Sequence, residues 1–344
     1  MAKKTKIQWT ESTWNPITGC SKVSEGCRNC YALRDWPRLS ANPRTVYHGR
    51  KFTDVQCHAE RLGLPFHWTK PRRIFVNSTS DLFHESVPDD FILQVFNEMR
   101  RTTWAGGAGL GRIRDDHREG HVFQVLTKRA ERMKDFISRL HFDSTDGYVL
   151  GEPGGLGLIN NKDIWLGVSV EDQKSADERI RILLEAPVAS RWISAEPLLG
   201  PLDIIPYLGY RAIQCGCGFK HDESNLVGAT INKEGCLVCR KKTVTLPTLD
   251  WVVAGGESTS NARPMHPEWI RSLRDQCKET ETPFFFKQWG EWSCYDHPAA
   301  GVVHVQLDGK FLNVPTETSQ SMKRVGKKLS GRELDGVIHD EYPS

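Results

Sequence analysis

The sequence predicts an α/β fold: a TIM-like parallel barrel, complete or partial, with an inserted four-cysteine zinc knuckle. Three observations lead there. Apolar strand-like runs alternate with polar turns and amphipathic helical stretches, the pattern of a parallel sheet with crossover helices. Polar residues recur just after those runs, where such barrels carry their chemistry. Between two of the runs, Cys215-Gly216-Cys217 and Cys236-Leu237-Val238-Cys239 stand with eighteen residues between them, a spacing that suits two knuckles around one zinc. The barrel is expected over residues 1–292, interrupted by the knuckle at 207–247 and followed by a hairpin and basic tail at 293–344.

The first run leads into Trp14-Asn15-Pro16-Ile17-Thr18-Gly19-Cys20, and Cys27 and Cys30 follow with the spacing C-x6-C-x2-C. Three thiolates on one loop can ligate three irons of a [4Fe–4S] cube and leave the fourth iron open to an exogenous ligand. The same spacing also suits a structural zinc completed by a distant residue, or buried thiols. A helix is expected over 31–39 and a short one over 58–65. Residues 73–77 read as a buried strand ending in the turn Ser78-Thr79-Ser80-Asp81. Pro88-Asp89-Asp90 opens a helix whose apolar face carries Phe91, Val95 and Met99. Residues 103–121 hold Gly106, Gly107, Gly109 and Gly111, but after a helix rather than a strand. That is the wrong context for a phosphate cradle, so they read as a mobile insertion.

Residues 121–126 form the next expected strand, ending at Thr127-Lys128, with a helix over 130–140 and a second Gly-rich insertion over 144–163. Then come strands at 164–168, leading to Ser169 and Glu171, at 190–194, leading to Glu196, at 250–254, leading to Gly255-Gly256-Glu257, and at 283–286, leading to Lys287-Gln288. Helices are expected over 175–184 and 267–278. The count is seven strands. Any one polar residue after a strand is commonly a cap or a loop ion pair, but arriving together they predict a pocket at the strand carboxyl ends. Beyond it, runs at 302–307 and 310–314 predict a hairpin around Asp308-Gly309. The tail carries Lys323, Arg324, Lys327, Lys328 and Arg332 and reads either as a solvated extension or as a clamp on phosphates.

The composition narrows the setting. The chain has 344 residues, 38% of them hydrophobic, which allows a large core. A net charge of +3 decides nothing about a polyanionic partner, although Lys220, Arg240, Lys241 and Lys242 flank the knuckle. The start, Met-Ala-Lys-Lys-Thr-Lys, lacks an apolar signal core, and no run of eighteen apolar residues exists. Of ten cysteines, the seven that fall in two clusters read in such a chain as metal ligands rather than bridges, so a cytoplasmic metalloprotein is expected. The second cluster suits zinc or a second iron–sulfur centre, while Cys57, Cys277 and Cys294 read as ordinary thiols. Several of the eleven tryptophans lie near polar strand ends and are expected as stacking surfaces.

The cysteine loop with Tyr31 after its last cysteine resembles that of the radical S-adenosylmethionine (SAM) superfamily, in a phage-associated branch with C-x6-C-x2-C in place of C-x3-C-x2-C. The surrounding segments KIQWTESTWNPITGC, VFQVLTKRAERM, WLGVSVED, RWISAEPLLGPLD, WVVAGGES and FFFKQWGEW extend the resemblance from about Lys6 to Trp292. It implies that Cys20, Cys27 and Cys30 hold a [4Fe–4S] cluster and that SAM chelates its open iron. An external donor's electron then cleaves SAM to a 5′-deoxyadenosyl radical. By strand position, Ser78, Ser80 and Asp81 would take the SAM amino group, Lys128 its carboxylate, and Ser169 and Glu171 its ribose. Glu196 and Glu257 would contact ribose or substrate and form the candidate catalytic pair. Gly255-Gly256-Glu257 has the letters of the family's amino-binding motif but comes too late in the chain for that role. The implied substrate is nucleic acid: a base of phage DNA, hypermodified thymine included, remodelled by isomerase- or lyase-type chemistry. The alternatives are a radical enzyme acting on a peptide, a small molecule or a DNA lesion, and a non-catalytic zinc protein that binds nucleic acid.

Overall fold

Seven short apolar segments pair side by side in chain order: β1 (Ser12–Trp14), β2 (Arg73–Val76), β3 (Val122–Thr127), β4 (Ile164–Ser169), β5 (Ser190–Ala195), β6 (Trp251–Gly255) and β7 (Phe284–Gln288). Every pairing is parallel, and β1 and β7 stand at the two ends of the sheet, so the barrel is partial. This computed structural model describes residues 5–103, 120–143, 145–155, 157–209, 247–295 and 300–343, with the backbone of short strands between 213 and 245. Cys215, Cys217 and Cys239 lie outside the described residues, as do the side chain of Cys236 and most of the Gly-rich stretch 103–121. The expected knuckle and mobile insertion therefore stay expectations.

The strands read as continuous apolar runs because both faces are covered. Side chains alternate across the sheet with a period of two. Ile74 and Val76 of β2, Val252 and Ala254 of β6, and Phe284 and Phe286 of β7 face the outer core. There they join the apolar sides of α2 (Asp89–Thr102), α3 (Ala130–Ser138), α4 (Gln173–Glu185) and α5 (Pro267–Glu279). The intervening Phe75, Trp251, Val253 and Phe285 face inward and form a second core with Trp9, Trp165 and Trp192. Helix α1 (Tyr31–Ser40) belongs to neither; its Ala32 and Trp36 pack with Tyr47 and Phe52 into a small cluster beside the cysteine loop.

Three expectations need correction. Trp14, Trp192, Trp251 and Trp269 offer no stacking surface, being almost fully buried: Trp192 and Trp251 fill the concave face of the sheet, and Trp14 and Trp269 belong to the outer core. The tail is not a solvated extension. Its first part, Ser319–Arg324, is a strand of a four-stranded antiparallel sheet with Trp292–Cys294, Val302–Gln306 and Phe311–Leu312. The end of the chain then runs back under the half-barrel. Asp340 bridges to Phe285, and the Tyr342 ring lies 5.3 Å from Trp251 and 3.9 Å from the Arg73 guanidinium. The short helix expected over 58–65 is two single 3₁₀ turns, Ala59–Arg61 and Pro65–His67.

The register of the sheet decides where a site can form. Trp14 lies beside Val76, Val76 beside Val125, Thr127 beside Val168, Ser169 beside Ser194, and Ala195 beside Ala254. The carboxyl ends are therefore level, and the residues after them meet around one opening. The expected insertions all enter at the other edge, before the amino ends of β3, β4 and β6.

Gly167 in β4 makes the inward packing possible, since a Cβ there would sit 2.5 Å from the Trp192 ring. Gly167→Ala is expected to destabilise the fold by about 1–3 kcal/mol through overpacking, measured as a lowered urea midpoint at unchanged slope.

Candidate functional site: a three-cysteine cavity

The cysteine loop is fixed at its base by backbone demands. Gly19 has φ +90, and a Cβ there would meet the Asp54 carbonyl oxygen at 2.6 Å. The Cys20 amide donates to the Phe52 carbonyl at 2.9 Å, while the Asn15 and Asn77 side chains hold the turns after β1 and β2 together. From there the loop crosses the level strand ends. Gly26 lies so close to the far side that a Cβ would stand 3.0 Å from both the Glu171 carboxyl carbon and Lys128 Nζ.

Cys20, Cys27 and Cys30 all line one cavity of about 210 Å³ that opens to solvent at the strand carboxyl ends. Its wall also includes Ser78, Ser80, Asp81, Lys128, Ser169, Glu196, Glu257 and Lys287, with Trp9 and Phe75 from the inner core beneath. Of the residues singled out in the sequence, Glu171 stands one layer back, reaching the cavity through Lys128.

Three ion-pair systems organise the wall. First, Asp81 is buried and its carboxylate accepts from Thr127 Oγ1 at 2.7 Å, the Phe83 amide at 3.0 Å, the Lys128 amide at 3.2 Å and Arg129 Nη1 at 3.2 Å. The same guanidinium donates to Glu85 at 2.8 Å and to Ser21 at 2.9 Å, and its Nη1 lies 3.8 Å from Cys20 Sγ. Burial, then the Asp81 charge, push the Cys20 thiol up to about 12, with Arg129 opposing. Second, Lys128 Nζ donates to Ser169 Oγ at 2.7 Å and to Glu171 at 2.9 Å, and Arg179 donates to the same Glu171 oxygen at 3.0 Å. Burial raises the Glu171 carboxyl, but Lys128, Arg179 and the Ser24 hydroxyl outweigh it and hold the group below its usual range. Asp172 and Ser175 cap α4 reciprocally and so fix where Glu171 leaves β4. Third, Lys287 Nζ donates to Glu196 at 2.6 Å across the mouth.

Glu257 is engaged at both oxygens. Arg263 Nη2 lies 2.5 Å from one, and the Arg263 amide at 2.7 Å and Asn29 Nδ2 at 3.0 Å donate to the other. Since Asn29 sits between Cys27 and Cys30, this carboxylate ties the loop after β6 to the cysteine loop. Ser78 and Ser80 hydroxyls donate to Asn15 Oδ1 and to the Ile17 carbonyl, so each oxygen of these cavity-lining residues is still free to accept.

Sequence reading missed Arg129, Arg179, Arg263 and Asn29, each the partner of a residue it had named. Arg129 carried a signal, a second cation directly after Lys128 at the end of β3. The others are joined to their partners only by the fold. Among the described residues no three His, Cys, Asp or Glu side chains gather as a single metal ion requires. Three thiols that each meet a different iron of a cube need no such gathering.

Residues 4–343 match the family model described as Protein of unknown function (DUF5131). The chain belongs to the DUF5131 family. No curated protein matches this DUF5131 chain. Among solved structures, a Cys-to-Ser and a Tyr-to-Phe mutant of spore photoproduct lyase align with it at 10% and 8% identity. Each alignment covers 94% of this chain and 71% of the other, with TM-scores of 0.39 and 0.38. No helix among the described residues is long and apolar enough to cross a membrane.

Two predictions come from the ion-pair systems. Arg129→Ala strands the buried Asp81 carboxylate and is expected to cost about 3–5 kcal/mol in urea unfolding at neutral pH. Because the folded Glu171 carboxyl lies below its ordinary value of 4.5, its stabilisation is whole above that pH and is lost as pH falls through the folded value. Thermal melts of Glu171→Gln should therefore start lower at neutral pH and fall less steeply below about pH 4.5 than those of the parent.

Proposed function

We propose that this chain is a radical SAM enzyme that modifies a base of nucleic acid. One observation carries the reading: three cysteines of one loop share an open cavity with Lys128, Ser169 and Glu196 at the level carboxyl ends of a parallel half-barrel. The donor set fits an iron–sulfur cluster, being all sulfur and presented from one side. When bound, a [4Fe–4S] cluster with SAM supplies a 5′-deoxyadenosyl radical by one-electron reductive cleavage.

In this reading Cys20, Cys27 and Cys30 hold the cluster. Ser78 and Ser80 offer oxygen lone pairs to the SAM amino group, and Lys128 offers a positive charge to its carboxylate. Asp81 acts indirectly, since its four donors leave it to fix Lys128 and Arg129. Ser169 serves the ribose, with Glu171 orienting Lys128 behind it. Glu196, paired with Lys287, faces the substrate, and Glu257 ties the loop after β6 to the cysteine loop. The substrate class rests on the sequence resemblance, which points to a DNA base, hypermodified thymine included, and to isomerase- or lyase-type chemistry. A zinc held by Cys215, Cys217, Cys236 and Cys239 belongs to the same proposal.

Anaerobic reconstitution should give a brown protein with about four irons per chain. SAM and dithionite should then release 5′-deoxyadenosine, and Cys30→Ala should abolish both iron uptake and release. A colourless protein that holds only zinc and releases nothing would replace this reading with a non-catalytic nucleic-acid-binding one. Nucleoside analysis of DNA made with and without the protein tests the substrate.

A further inference from the structure

The mouth of the cavity carries cations that the radical chemistry does not use. The segment after the C-terminal sheet docks onto the loop that follows β7. The Val325 and Gly326 amides both donate to the Glu291 carbonyl at 3.0 Å, Ser330 Oγ donates to the Gly290 carbonyl at 2.6 Å, and the Trp289 amide donates to the Gly331 carbonyl at 3.3 Å. This docking puts Lys327 on the turn beside the end of β7, where the charges of Lys287 from β7 and Arg34 from α1 both act on it. Arg34 reaches the cavity wall itself, its Nη1 donating to the Ser258 carbonyl at 2.5 Å.

Lys287 is balanced by Glu196 and Arg34 by its neighbour Asp35. Lys327 makes no ion pair among the described residues. Burial, then the Lys287 ammonium, hold its ammonium below the ordinary lysine range, with Arg34 acting in the same direction and Glu196 and Glu291 opposing. Lys327 is exposed to solvent, so its neighbours rather than a dry pocket set its surroundings, and gathering like charges there works against folding stability. Such an arrangement is explained by an anion that arrives from outside. The anion must approach a cavity floored by aromatic rings, Trp9 and Phe75, of a size for one flat group rather than a duplex.

We propose that Lys327, Lys287 and Arg34 form a clasp for the backbone phosphate of a nucleotide whose base enters the cavity. The inference rests on the nucleic-acid reading of the site and gives it a specific contact. Two ammonium groups supply point charge, and the guanidinium supplies a directed fork, a set suited to a phosphodiester. The target base must be unpaired or swung out of its stack, as in other enzymes that act on a base inside a cavity.

The test is fluorescence anisotropy with a labelled single-stranded DNA 12-mer, titrated across salt concentrations without SAM or reductant. Lys327→Ala should weaken binding about 5-fold near 0.1 M salt and reduce the log–log salt slope by about 0.7, the loss of one phosphate contact. Lys327→Arg should keep both. Lys328→Ala, on the same turn, should change neither. Unchanged affinity and slope in Lys327→Ala would overturn the clasp, as would equal losses from the two alanine variants, which indicate a diffuse basic surface. Release of 5′-deoxyadenosine by the unmodified protein without DNA tests the enzymatic reading separately, so the two failures are distinguishable.

Discussion

The buried pair between Asp81 and Arg129 is the constraint on which the site depends. Asp81 belongs to the turn after β2, and Arg129 follows β3. Through Ser21 and Cys20 the guanidinium also reaches the cysteine loop, so one charge pair joins three segments that are far apart in sequence. A carboxylate removed from water is tolerated only when its lone pairs are filled, and Asp81 has four donors to fill them. The pair thus acts less as a source of stability than as a device that permits one arrangement of the loop. Glu257 performs a similar service from the other side through Asn29 and Arg263.

The cavity follows from register rather than from any one residue. Parallel strands with level ends deliver their following residues to the same height, and crossover helices keep the other face away from solvent. The inner aromatic core then sets the depth of the cavity, since the rings of Trp9, Trp192 and Trp251 occupy the space below it. A chain with smaller residues there would have a deeper opening and a softer floor.

Much of this was legible in the sequence because strands buried on both faces leave an unambiguous run of β-branched and aromatic residues. Polar residues such as Ser78, Lys128, Ser169 and Glu196 stood at the ends of those runs and do line the cavity. The tryptophans misled for a physical reason: Trp192 and Trp251 sit at inward positions of a sheet whose closure the sequence does not reveal, and beside polar neighbours they look like surface rings. The tail misled because strands of two to six residues, such as Ser319–Arg324 and Glu333–Leu334, carry too little periodicity to be recognised. Partnerships such as Glu257 with Asn29, separated by more than two hundred positions, depend on the fold alone.

The insertions all join the barrel beneath its sheet, on the edge away from the opening. New length added there lengthens no loop that touches the cysteines. Substrate chemistry and accessory mass can thus vary independently in this architecture: a recognition module could be exchanged below while the reaction chamber above keeps its dimensions, much as a tool accepts a different handle without a change of blade.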